Sequence, residues 1–302
     1  MRRLEARSVR ATALRAPRLN NSPHGAAFAW VDNPAVDALA RAFDRYDVVI
    51  NCAGDPDASS QDASRLFGAN AALPGIAAAA ARQAGVQRFI HVSSAVVQGS
   101  AARLDASDQC AGTSTYAQSK IAGEAAVRAA GQLGSYTIYR PPSVHSAERR
   151  VTRAIGRVAR SPLASVAGRG DAPTPQAHID NVGDAIAELA LTTEQPPTVV
   201  VHPWEGWTTA ELMRAFGRGR EPHHIPETLA GGLRRLLHLV GRVPQLAPNA
   251  RRVEMMWFGQ GQAESWLTHH GWVPVVGREG WLRTIAESAN LGKTEPRQKA
   301  TQ

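Results

Sequence analysis

Short apolar runs separated by alanine-rich stretches of helical spacing organise the first half of the chain. Asp47-Val48-Val49-Ile50-Asn51-Cys52-Ala53-Gly54 and Arg88-Phe89-Ile90-His91-Val92-Ser93-Ser94 are apolar without alternation, as strands covered on both faces must be. Tyr136 to Arg140 and Thr198 to His202 repeat that pattern. Two further runs, Ser8 to Leu14 and Ala26 to Val31, also read as strands. Between them, Ala35 to Phe43, Ala63 to Gln83 and the stretch after Ser114 have helical spacing, with a kink expected at Pro74-Gly75. Strands alternating with helices predict a parallel sheet, and right-handed crossovers wind it into a Rossmann-type doubly wound α/β fold.

The second half is less regular. It offers a basic helix over 151–160, a Gly/Pro-rich loop over 168–175, and helices from Asn181 and over 208–216. The remainder reads as mainly helical, with Trp257, Trp266, Trp272 and Trp281 assigned to the core. Residues 1–145, joined by 179–202, are expected to form the sheet domain. Residues 146–178 and 203–287 are expected to form a smaller substrate-binding region, and 288–302 a disordered polar tail.

At 302 residues and 43% hydrophobic content the chain can bury a sizeable core. It has no apolar run of about 18 residues and no signal-peptide pattern at its start, so no membrane partner and a cytoplasmic location are expected. Cys52 and Cys110 are too few for a disulfide framework, and the pairs His223-His224 and His269-His270 lack partners at ligand spacing, so no metal site is read. The net charge is +8, but the arginines are dispersed without interleaved aromatics. That argues against nucleic acid and for an anionic small molecule.

Lysine use sharpens the chemistry. Lys120 is the only lysine before Lys293 in an arginine-rich chain, and it lies four residues after Tyr116. On a helix this spacing puts phenol and ammonium on one face. A fixed cation favours phenolate and moves a phenol toward the range of a general acid/base, which points to proton transfer at a hydroxyl or carbonyl oxygen.

With that pair placed after a parallel-sheet half, the chain resembles the extended short-chain dehydrogenases/reductases, the NAD-dependent epimerase/dehydratase group. Val48 to Gly54 resembles that family's fourth strand, Asn70 its helical Asn, and Ser94-Ala95-Val96-Val97-Gln98-Gly99 its serine-to-glycine segment. Arg140-Pro141-Pro142-Ser143-Val144, His178-Ile179-Asp180-Asn181-Val182 and Gly271-Trp272-Val273-Pro274 resemble later family blocks in the family's order. The resemblance implies catalysis by Ser94, Tyr116 and Lys120, with hydride passing to or from a nicotinamide ring. It further implies cofactor contacts at Cys52, Ala53, Gly54, Asn70, Tyr116, Lys120, Pro142, Ser143 and Val144. Gln98 and His145 replace tyrosines common in the family and are expected to face the substrate.

The family's opening strand and Gly-x-x-Gly-x-x-Gly turn do not occur in this sequence. Met1 to Arg7 reads as the end of the first helix. Either coding sequence upstream of Met1 supplies the turn, or the chain is a truncated relative. Two function classes follow: an NAD(P)-dependent oxidoreductase or epimerase/dehydratase acting on a nucleotide-sugar or steroid-like alcohol, or a non-catalytic cofactor sensor or scaffold. Self-association as a homodimer is a further expectation. After the second expected strand the chain has Arg15 and Arg18 but no acid, which favours NADP over NAD, and Asp32 is placed near the adenine by resemblance.

Overall fold

A computed structural model describes residues 1–131, 135–240 and 247–294. In chain order the first elements are α1 (Arg2–Glu5), α2 (Pro34–Phe43), β1 (Val48–Asn51), α3 (Ala63–Phe67), α4 (Leu73–Gln83) and β2 (Arg88–Val92). Then come β3 (Arg103–Leu104), α5 (Thr115–Ala130), β4 (Tyr136–Arg140), β5 (Ser143–His145), α6 (Arg150–Ala159), β6 (Ser165–Ala167), β7 (Gln176–His178) and α7 (Ile179–Leu191). The chain continues with β8 (Val199–Val201), α8 (Thr209–Phe216), β9 (His223–Ile225), α9 (Glu227–Val240), α10 (Ala247–Phe258), β10 (Gly261–Gln262), α11 (Trp266–His269) and α12 (Arg278–Thr294).

The central sheet has the order β1-β2-β4-β8, every pair parallel. Parallel strands need crossovers, and helices supply them on both faces. Phe89, Tyr136, Ile138 and Val199 pack against the alanines of α4 and against Val127 and Ala130 of α5. The alternate residues Ile90, Tyr139 and Val200 pack against Val182, Ala185 and Leu189 of α7 and against Trp272. Period-two alternation along each strand thus feeds two separate cores. A third core joins α6, α8 and α12 around Trp207 and Trp281.

The strands expected at Ser8 to Leu14 and Ala26 to Val31 do not form. The first segment has no regular structure, and the second holds a 3-10 turn over Ala26–Phe28. A strand exists only through its ladder. Among the described residues β1 pairs with β2 alone, so nothing pairs these segments into the sheet. The irregularity expected at Pro74-Gly75 lies just upstream, in a π-helical turn over Gly68–Ala72; Pro74 sits in the first turn of α4, where it is tolerated. At the other end α12 runs on to Thr294, with Ser288 and Ala289 buried, so the stretch read as a tail begins as helix. The rest of that stretch lies outside the described residues.

Candidate active site

The site gathers where β1, β2 and β4 end. Helix α5 begins at Ser114, whose hydroxyl accepts from the Ala117 N–H at 3.2 Å. Its first turns then present Tyr116, Lys120 and Glu124 along one stripe. Gly123 brings this helix close to the π-turn: a Cβ there would lie 2.0 Å from the Asn70 carbonyl oxygen. The Asn70 side chain is fully buried and clamps the loop after β1, accepting from the Asp55 N–H at 2.9 Å and donating to the Asp55 carbonyl at 3.2 Å. It also donates to Ser119 at 3.1 Å, and Ser119 in turn donates to the Tyr116 carbonyl at 2.8 Å.

Lys120 is buried, and its Nζ reaches the Val92 carbonyl only at 3.5 Å. Burial lowers its pKa from 10.5 to about 8, an effect offset in part by Glu124, Cys52 and Asp55. Behind it, Glu124 receives two bonds from Arg140, Nε to Oε1 at 2.9 Å and Nη2 to Oε2 at 2.6 Å, and a third from Ser93 at 2.7 Å. This forked ion pair is fully buried and ties α5 to the end of β4.

Ser94 caps the short 3-10 turn Ala95–Gln98, accepting from the Val96 N–H at 3.3 Å, and its side chain lies near enough to the Tyr116 phenol to pull its pKa down. Burial drives the Tyr116 pKa up to about 12, against a downward pull from Arg149 first and from Ser94 second. The lowering of the phenol by Lys120 that the spacing suggests is not among the causes. Arg149, just before α6, supplies the neighbouring positive charge instead. Sequence reasoning missed Arg149, which is one arginine in a basic stretch. It also missed Glu124, although its position four residues after Lys120 was a usable signal.

The structure thus brings Ser94 to Tyr116, and Gly54 and Asn70 to Lys120. A Cβ on Gly54 would meet Asn70 Oδ1 at 2.7 Å and Lys120 Nζ at 3.3 Å. Cys52 is exposed beside Lys120, with Ala53 half-buried next to it; the Ala53 N–H donates to the Asn51 side chain at 3.1 Å. Pro142, Ser143 and Val144 are half-buried in and just before β5, and the Ser143 hydroxyl is 3.2 Å from His145 Nε2. Arg15 and Asp32 are exposed, and among the described residues no contact ties them to this group. Gln98 and His145, expected on the substrate side, are both buried among protein partners. Gln98 is buried and holds Asp105 at 2.7 Å, and His145 is enclosed by Gln176 at 2.7 Å and Thr152 at 3.1 Å.

These residues fit the nicotinamide-ribose end of a dinucleotide. A buried ammonium with one long bond keeps donors for sugar hydroxyls, and bare backbone at Gly54 lets Asn70 and Lys120 close in on the loop after β1. The glycine-rich turn that would take the pyrophosphate is not in this sequence.

Comparison with known proteins identifies the family and the fold. A family model described as the NAD dependent epimerase/dehydratase family matches residues 1–201. Among solved structures the chain is similar to UDP-glucuronic acid 4-epimerase from Bacillus cereus in complex with NAD (15% identity, 84% of this chain and 78% of that one, TM-score 0.58). It is similar to dTDP-4-dehydrorhamnose reductase from Bacillus anthracis str. Ames in complex with NADP (15%, 83% and 85%, TM-score 0.56). A third is the UDP-glucose 4-epimerase of Thermus thermophilus in complex with NAD (19%, 94% and 93%, TM-score 0.56). No match is found among curated proteins. At such identities the structural likeness is one of fold; the family model spans more than half of the chain. The chain belongs to the NAD dependent epimerase/dehydratase family, a family of enzymes.

Proposed function

We propose that the protein epimerises or reduces a sugar carried on a nucleotide, with a nicotinamide dinucleotide as cofactor and Ser94, Tyr116 and Lys120 as catalytic residues. The observation that carries this reading is the nearness of Ser94 to the Tyr116 phenol, with a buried, under-bonded Lys120 at the same strand ends. The bound nicotinamide supplies hydride transfer at the carbon bearing the reacting oxygen. Tyr116, with its pKa near 12, is protonated at neutral pH and suited to give its proton to a carbonyl oxygen. Ser94 orients that oxygen beside the phenol. Lys120 and Asn70 hold the ribose and the loop beneath it, while Cys52, Ala53, Gly54, Pro142, Ser143 and Val144 line the ring's approach. The choice of a nucleotide-sugar over a steroid-like alcohol rests on the similar structures, which include a complex with UDP-glucuronic acid and NAD. A preference for NADP over NAD rests on the sequence alone: Arg15 follows the run Ser8 to Leu14 with no acid beside it, and a 2′-phosphate would pair with it. On this reading Arg15→Ala weakens NADP and leaves NAD unchanged.

The test is Tyr116→Phe in a chain that binds dinucleotide by nicotinamide fluorescence, assayed on UDP- and dTDP-sugars. Turnover should fall at least ~100-fold with dinucleotide affinity within a few-fold of the parent. Near-normal turnover would overturn the assigned chemistry. A parent that binds no dinucleotide, with or without sequence upstream of Met1, would select the scaffold alternative, and one that binds dinucleotide but turns over no sugar would select the sensor.

A further inference from the structure

An open cleft of about 450 Å³ lies between α6, α8 and α12, in the size range of small-molecule sites. Trp207 lies at its base, and Leu282, 45% exposed, contributes an apolar wall. Four guanidiniums line it: Arg160, Arg214, Arg218 and Arg278. Arg214 is neutralised by Glu221 at 2.6 Å. Arg278 lies 3.8 Å over the Trp207 ring and reaches Glu211 at 3.4 Å. Among the described residues no carboxylate pairs with Arg160 or Arg218. Burial and the nearby Arg218 both lower the Arg160 pKa, which marks two like charges held together without a counter-ion.

Helix ends explain only part of this placement. Arg214, in the last turn of α8, and Arg160, capping α6, sit where the helix dipole favours a cation. Arg278 is the first residue of α12, where the dipole opposes one. Arg218 follows the end of α8 at φ 59°, in the left-handed region that favours glycine, where the Gly219 N–H returns to the Arg214 carbonyl at 2.9 Å. An arginine therefore occupies a glycine position on the same cleft as Arg160, whose Nη1 donates to the Phe216 carbonyl at 3.5 Å. Strain and like-charge repulsion at one spot, over an apolar floor, are the features of a site waiting for an anion.

We propose that this cleft binds an amphipathic oxyanion, a phosphate or carboxylate on an apolar body, with Arg160 and Arg218 on the anion and Leu282, Ala215 and Ala286 against the body. It is distinct from the Tyr116 site and does not rest on the reading of that site. The test is calorimetric titration of the whole chain with octyl phosphate, octanoate and inorganic phosphate, in the parent and in Arg218→Gly and Arg160→Ala. Saturable one-to-one binding of octyl phosphate or octanoate is expected, and the tighter of the two identifies the anion. Inorganic phosphate should bind at least tenfold more weakly. Arg218→Gly should lose at least tenfold in affinity while melting at or above the parent temperature, because glycine suits its backbone; this separates lost binding from lost folding. The proposal is overturned if none of the three ligands saturates, if inorganic phosphate binds as tightly as octyl phosphate, or if both variants bind like the parent.

Discussion

Lys120 is held as a cation in a place that provides it with little solvation. Its pKa falls from 10.5 to about 8 in the folded chain, so between those values the unfolded chain binds more protons and stability rises with pH. The cost is fully present below pH 8 and is relieved as pH climbs toward 10.5. At about 1.4 kcal/mol per pH unit, it amounts to roughly 3 kcal/mol. Lys120→Met should therefore raise the urea midpoint at pH 7 while abolishing turnover, and the parent-minus-variant stability gap should shrink from pH 8 to 10.5. A gap that stays flat across that window would mean the ammonium is not buried as a cation. This lysine was legible in the sequence because arginine-rich composition made it stand out. The burial of Gln98 and His145 was not, since the family pattern marks a position without saying which side of the backbone faces a cavity. Nor was Arg149, whose proximity to Tyr116 depends on how α6 starts.

At the scale of elements, α5 is the part that makes the site rigid. Its Tyr116–Lys120–Glu124 stripe faces the strand ends, and the buried Glu124–Arg140 fork locks that stripe to β4. Removing Glu124 leaves the Arg140 charge buried without a carboxylate, a loss of about 3–5 kcal/mol. Glu124→Ala should show that loss in urea unfolding, although Glu124 touches neither phenol nor Ser94. Replacing Arg140 by Met in the same chain should return a large part of it, because the pair then disappears together. Additive losses in the double variant would show that the two charges are not coupled. The strands at 48, 88, 136 and 199 were legible because each is an unbroken apolar run, a pattern that burial on both faces imposes. Ser8 to Leu14, whose apolar residues are interrupted by Arg10 and Thr12, forms no strand, since hydrogen bonding in a sheet is decided by neighbours far away in sequence.

For the whole molecule, the sheet order makes a statement about where stability resides. β2 and β4 each have a partner on both sides, whereas β1 and β8 are edges among the described residues. Opening a central strand breaks two ladders and exposes both cores, so amides of Phe89 to Val92 and Thr137 to Tyr139 should exchange only through global unfolding. Edge strands open locally, and β1 amides should exchange faster than those of β2 beside it. Residues 9–22 have no regular structure, and Leu14 in that stretch is 48% exposed. Their amides should exchange within the fastest class, apart from Val9 and Asn21, whose N–H groups are bonded to the Leu4 and Ser64 carbonyls, each at 3.0 Å. Hydrogen–deuterium exchange read by mass spectrometry on peptides spanning 1–30, 44–54, 86–94 and 135–142 resolves these classes. Slow exchange across 9–14, at the level of β1, would show that this segment is laddered to another strand, as its apolar spacing suggested. Fast exchange there with slow exchange in β2 and β4 is the result that the observed sheet order requires.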